Sequence, residues 1–164
     1  PSCDQTLNES QTMTTNSRAL VVETVIERTP DEVWADVRDI ASHVGWMHDA
    51  VAIRFLSDTR EGLGTRFECD TKVGPFRLTD IMEITAWDDA RRMGVCHAGL
   101  VEGVGEFTLI EISPGRTSFS WAEDLTFPWY VGGPLAGVFA RPVLRLIWKR
   151  NLRALKARLE TQPS

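Results

Sequence analysis

Cysteine is scarce in this sequence, long uncharged apolar runs are missing, and there is no excess of basic residues. Each shortage closes off a class of protein. The three cysteines, Cys3, Cys69 and Cys96, show no CxxC spacing and are too few for a disulfide scaffold. An odd count without a secretory hydrophobic segment points instead to reduced thiols in the cytoplasm, with Cys69 and Cys96 as small core residues. Arg141 and Arg145 interrupt the most hydrophobic segment, 134–148, so no stretch reaches the roughly eighteen apolar residues of a membrane-spanning helix. Eighteen Lys and Arg face 23 Asp and Glu, and the resulting pI near 5.2 argues against a nucleic-acid binder. Catalytic signatures are missing as well. Gly62-x-Gly64 lacks the third glycine and the following helix of a dinucleotide fingerprint, and neither a GxxxxGK phosphate loop nor a GxSxG elbow occurs.

What remains is an ordinary globular composition, 43% hydrophobic and 25% charged, in a chain of 164 residues that fits one domain with a real core. Residues 1–18 are polar and aperiodic and read as a flexible leader or expression remnant. One domain is expected over 19–160, followed by a short tail, 161–164. Charge is unevenly spread: residues 141–160 hold seven Lys or Arg and one Glu, a balance of +6, which leaves the first 140 residues at 11 minus 22, or −11. A basic helix face carrying Arg145, Lys149, Arg153 and Lys156 is either a solvated surface answering an acidic body or a site for a partner or an anionic membrane surface.

The element pattern is β-α-α-β6-α. Residues 20–27 are rich in β-branched side chains and read as a strand. Thr29 then caps a short helix, with Pro30 at its first position and Asp31 and Glu32 in its first turn, where the helix dipole favours anions. A second short helix is expected over 40–46. Strands follow at 51–56, 65–73, 76–86, 92–100, 106–112 and 117–127, separated by turn residues such as Gly74-Pro75, Gly103-Val104-Gly105 and Pro114-Gly115. Gly132 and Gly133 release a long C-terminal helix containing Pro142, which is expected to kink it or start a new one. Leu135, Val138, Phe139 and Leu146 share one side of that helix, and Leu144, Trp148, Leu152, Leu155 and Leu159 share another. Residues 134–141 are therefore expected to form a mobile cover over one end of a cavity, and 142–160 a rigid grip on a curved antiparallel sheet of about seven strands.

Four segments carry a family resemblance: Thr29-Pro30-Asp31-Glu32-Val33-Trp34 with Asp39, Gly62-Leu63-Gly64-Thr65-Arg66, Gly115-Arg116-Thr117-Ser118-Phe119-Ser120-Trp121, and Asn151-Leu152-Arg153-Ala154-Leu155-Lys156. Over about residues 19–160 the chain resembles the START and pollen-allergen-like helix-grip superfamily, SRPBCC, particularly its bacterial polyketide cyclase/dehydrase branch. The resemblance implies an α+β helix-grip fold with a hydrophobic pocket between sheet and C-terminal helix. It also implies a lipid, polyketide, hormone or other apolar ligand, which some members cyclise or dehydrate. The quoted segments are fold motifs, and fold alone does not select among these activities.

Strand alternation proposes which polar groups enter that pocket. Thr117, Phe119, Trp121, Glu123 and Leu125 share one face, so Glu123 either points inward as a general acid or base or sits at the rim beside a helix arginine such as Arg145. Asp80 falls in the apolar set Phe76, Leu78, Met82 and Ile84, and His97 follows Met93 and Val95 at two-residue spacing. Convergence of Asp80, His97 and Glu123 would permit acid–base chemistry on a bound carbonyl compound; otherwise His97 is a satisfied core residue. Trp46, Phe67, Met82, Phe119, Trp121, Trp129, Phe139, Leu146 and Trp148 are the candidate ligand-binding residues, with the indoles available to stack on a flat ligand. His43, His48 and Asp49 cluster near one mouth of the cavity without a zinc-ligand spacing, so neither metal nor cofactor is expected. The sequence carries no signal of oligomeric state.

Overall fold

The computed structural model describes residues 19–99, 101–126 and 133–161, with the backbone alone over 133–139. The chain begins with β1 (Leu20–Ile26), α1 (Pro30–Val37) and a short 3₁₀ helix (Ile40–Gly45). Six further strands follow: β2 (Ala50–Phe55), β3 (Arg66–Val73), β4 (Phe76–Asp88), β5 (Arg92–Ala98), β6 (Glu102–Ser113) and β7 (Arg116–Thr126). The last element is α2 (Gly133–Thr161). The strands form one antiparallel sheet in the order β1-β7-β6-β5-β4-β3-β2, curled into a half-barrel with α2 lying against β1 and β7.

Local chemistry accounts for the helix starts. Glu32 N–H donates to Thr29 Oγ1 at 3.3 Å while Thr29 N–H donates to Glu32 Oε2 at 2.8 Å, a reciprocal cap that satisfies two otherwise orphaned donors of α1. Val33, Trp34 and Val37 form its buried stripe. In α2 the side chains of Trp148, Leu152, Leu155 and Leu159 recur at three- and four-residue spacing and are buried against the sheet. The helix is continuous through Pro142, so no new helix starts there.

Other sequence expectations shift. Residues 103–105 are not a turn: β6 begins at Glu102, and Gly103 and Gly105 pair with Leu125 and Glu123 of β7. The glycines serve close approach, because a Cβ on Gly103 would stand 2.1 Å from the Asp124 carbonyl oxygen. Leu146 does not face the cavity; it is 65% exposed, since the helix presents Leu144, Trp148 and Leu152 inward instead. Cys69 is a free buried thiol that burial pushes up to about 11, whereas Cys96 is not free, which corrects the expectation of reduced thiols throughout. The expected leader 1–18, most of the tail, and Trp129 lie outside the described residues, as does the side chain of Phe139.

Candidate functional site

Between the concave face of the sheet and α2 lies a cavity of about 160 Å³. Its wall is mainly apolar. Ile53 of β2, Phe67 of β3, Met82 and Ile84 of β4, Met93 and Val95 of β5, Phe107 of β6 and Leu125 of β7 face Leu144 and Trp148 of α2. Trp121 and Trp148 stack across the sheet–helix junction, centroids 5.1 Å apart at 22°. Trp46 and Phe119 are fully buried but do not line the cavity. Trp46 packs behind its wall in edge-on and tilted contacts with His43, Phe107 and Trp121, and Phe119 is covered by Phe107. They are support for the lining rather than part of it.

Polar groups gather on the same wall. Asp80, His97 and Glu123 all line it, and all three are buried. His97 Nε2 is 3.9 Å from Glu123 Oε2, too long for a direct hydrogen bond and short enough for one bridging polar atom. Trp121 Nε1 donates to Glu123 Oε1 at 2.8 Å, which leaves Oε2 facing the imidazole. Burial pushes the Glu123 carboxyl up to about 8; the Trp121 hydrogen bond opposes this, and the negative charges of Asp49 and Asp80 reinforce it. Burial likewise pushes the His97 imidazole down to about 4. At neutral pH the two therefore meet as a carboxylic acid and a neutral imidazole, not as an ion pair, because neither charge is solvated there. Both His97 ring nitrogens are buried without a hydrogen-bond partner, a cost that an occupant of the cavity would remove. Asp80 Oδ1 accepts from Val101 N–H at 3.3 Å.

Backbone features make room for these groups. A Cβ on Gly105 would lie 3.1 Å from Glu123 Oε1, and one on Gly99 would lie 2.6 Å from Asp80 Oδ1. Strand alternation had no way of showing Asn151 as part of the site. It is fully buried on α2, donates from Nδ2 to Asp49 Oδ1 at 2.6 Å and accepts from His48 N–H at 3.0 Å. It thereby ties Asp49, itself on the cavity wall, to the helix. The sequence carried it only as the first residue of the fold motif Asn151-Leu152-Arg153-Ala154-Leu155-Lys156. His43 and Met47 also reach the wall; burial lowers the His43 pKa, and His43 Nε2 meets the Val37 carbonyl at 2.7 Å. Among the described residues no three His, Cys, Asp or Glu side chains group to hold a metal ion.

On the basic face of α2, Arg145, Lys149 and Arg153 are exposed, while Lys156 donates to the Val25 carbonyl and pairs with Glu160 at 3.1 Å. No described helix is long and apolar enough to cross a membrane.

The family model for polyketide cyclase / dehydrase and lipid transport proteins matches residues 18–160. The chain belongs to this family. As a member of the polyketide cyclase/dehydrase and lipid transport family it shares its fold with proteins of low sequence identity. A protein from Thermus thermophilus is 19% identical with a TM-score of 0.71, covering 89% of this chain and 99% of that one. A START superfamily protein from Mycobacterium smegmatis is 14% identical with a TM-score of 0.70, covering 87% and 97%. The Zhui aromatase/cyclase from Streptomyces sp. R1128 is 18% identical with a TM-score of 0.65, covering 87% and 93%. No curated protein sequence matches this family member.

Proposed function

We propose that the protein binds a hydrophobic or aromatic small molecule, lipid- or polyketide-like, in the cavity between the sheet and the C-terminal helix. The observation that carries this reading is the cavity itself. Its wall is chiefly apolar, with Phe67, Phe107, Trp121 and Trp148 offering flat surfaces, and a few polar groups converge at one place, the composition of a small-molecule site rather than of a packed core. Membership of a family described by cyclisation, dehydration and lipid transport agrees with it. Native mass spectrometry of protein from its own host, followed by denaturation, is expected to release a stoichiometric apolar adduct, and apolar probes are expected to quench tryptophan emission saturably. A clean mass together with no saturable quenching rejects the proposal.

A second reading is favoured by one observation, the 3.9 Å approach of His97 Nε2 to Glu123 Oε2. A neutral acid beside a neutral base suits enolisation, aldol closure or loss of water, in which one group donates a proton while the other accepts one. On this reading the protein is a cyclase, aromatase or dehydratase in which Glu123 is the acid, His97 the base and Asp80 a flanking carboxylate. Glu123→Gln is then expected to lower turnover by about a hundredfold or more while ligand binding persists. Unchanged turnover removes the assignment.

A further inference from the structure

The ionisable groups on the cavity wall are carboxyls, imidazoles and one thiol. Asp49, Asp80, Glu106 and Glu123 all reach its wall, and no Lys or Arg does so among the described residues. Each of the four has a partner: Glu106 is met by Arg92 at 3.6 Å, Asp49 accepts from Asn151 Nδ2, Asp80 from Val101 N–H and Glu123 from Trp121 Nε1. The groups that face Glu123 come from every neighbouring element. They are Leu20 on β1, Trp121 beside it on β7, Gly105 on β6, His97 on β5, Asp80 on β4, Asp49 before β2, and Trp148 of α2. None of them is a cation at neutral pH, since burial keeps His97 uncharged.

An anionic head group entering this cavity finds no Lys or Arg on its described wall, and an ionised carboxylate or phosphate is costly in such surroundings. A cation meets acceptors. His97 has two unsatisfied nitrogens, one of which is an acceptor in the neutral ring, and Glu123 Oε2 stands 3.9 Å from Nε2 without a bond to it. One nitrogen with several N–H groups can donate to both atoms at once.

We propose that the cavity selects its ligand by charge, taking an apolar amine whose ammonium group donates to Glu123 Oε2 and His97 Nε2, and turning away the carboxylate or phosphate of an equally apolar acid. The inference rests on the proposed binding function and gives its ligand a chemical class. When the ammonium binds, Glu123 gives up its proton to solvent, so that a buried carboxylate faces the cation and the net charge of the site is unchanged.

The test titrates the protein near neutral pH with dodecylamine, dodecanol and dodecanoate, which share a chain and differ in the head. Binding is read from tryptophan emission and from calorimetry in buffers of different ionisation heat. Dodecylamine is expected to bind at least about tenfold more tightly than dodecanoate, with dodecanol between them. Its uptake is expected to release about one proton. Saturable binding of dodecanoate as tight as that of the amine overturns charge selection and leaves the binding function standing. No saturable binding of any probe overturns both. Glu123→Gln is expected to weaken the amine by about tenfold and dodecanol by less than about threefold, and an equal effect on both probes counts against the inference. The wild-type series decides the matter even if that variant does not fold.

Discussion

Gly105 in β6 pairs directly with Glu123 in β7, and the missing side chain at Gly105 is the space that the buried carboxyl occupies. A methyl group there would lie 3.1 Å from Glu123 Oε1, 3.2 Å from its Cγ and 3.0 Å from Val95 Cγ1. Gly105→Ala is therefore expected to cost about 1–3 kcal/mol of stability through overpacking. It is also expected to weaken ligand binding more than Ala substitution at a distant surface site. Thermal unfolding alongside a probe titration checks this, and unaltered binding would show that Glu123 has room to adjust.

Glu123 also makes stability depend on pH. Its folded-state pKa is raised to about 8 from an ordinary 4.5, so the folded protein holds this proton more tightly than the unfolded chain. The stabilisation is complete below about pH 4.5 and is lost as pH rises to about 8. Glu123→Gln cannot ionise, so relative to wild type it is expected to gain on the order of a few kcal/mol between those limits. Urea unfolding at each end measures the difference, and a constant difference refutes the assignment.

His97 acts in the opposite direction. Its folded-state pKa is lowered to about 4 from 6.5, so its contribution is present above about pH 6.5 and is lost as pH falls to about 4. Replacing His97 with Gln is expected to reduce the loss of stability on acidification in that window, leaving the part that buried His43 supplies. An unchanged acid limb would mean that His97 is protonated in the folded protein.

The two faces of α2 should respond differently to truncation. Leu155 is fully buried and Leu146 is 65% exposed. Leu155→Ala is expected to cost about 2–5 kcal/mol, and Leu146→Ala within about 0.5 kcal/mol. Denaturant midpoints of the two variants give the comparison, and similar losses would place Leu146 in an interface.

Asn151→Ala removes the bond to Asp49 and the acceptor for His48 N–H together. A loss of about 1–3 kcal/mol is expected, because the freed His48 N–H and Asp49 Oδ1 lose their partners beside the cavity wall. Loss of probe affinity beyond that of an equally destabilised core variant would locate the effect at the cavity wall around Asp49.

Element order was legible in the sequence because its signals are local. The Thr29–Glu32 cap, the two-residue alternation that turns Asp80, His97 and Glu123 inward, and the Leu152–Leu155–Leu159 spacing each arise within a few residues of chain. The 103–105 segment misled because glycines favour both turns and close strand approach, and only the neighbouring strand distinguishes the two. Trp46 and Phe119 misled for a related reason: periodicity tells which face a side chain takes but not whether another ring lies between it and the cavity.

The sequence by itself determined the elements, their order and the apolar faces that must meet, since hydrogen-bond geometry and hydrophobic periodicity act over short stretches of chain. The tertiary structure alone decided that His97 comes within 3.9 Å of Glu123, that Asn151 holds Asp49, and that no described Lys or Arg reaches the cavity. Those outcomes depend on the register of strands far apart in sequence and on the rotation of one helix over them. The chemistry of the site follows from burial, which no single residue carries.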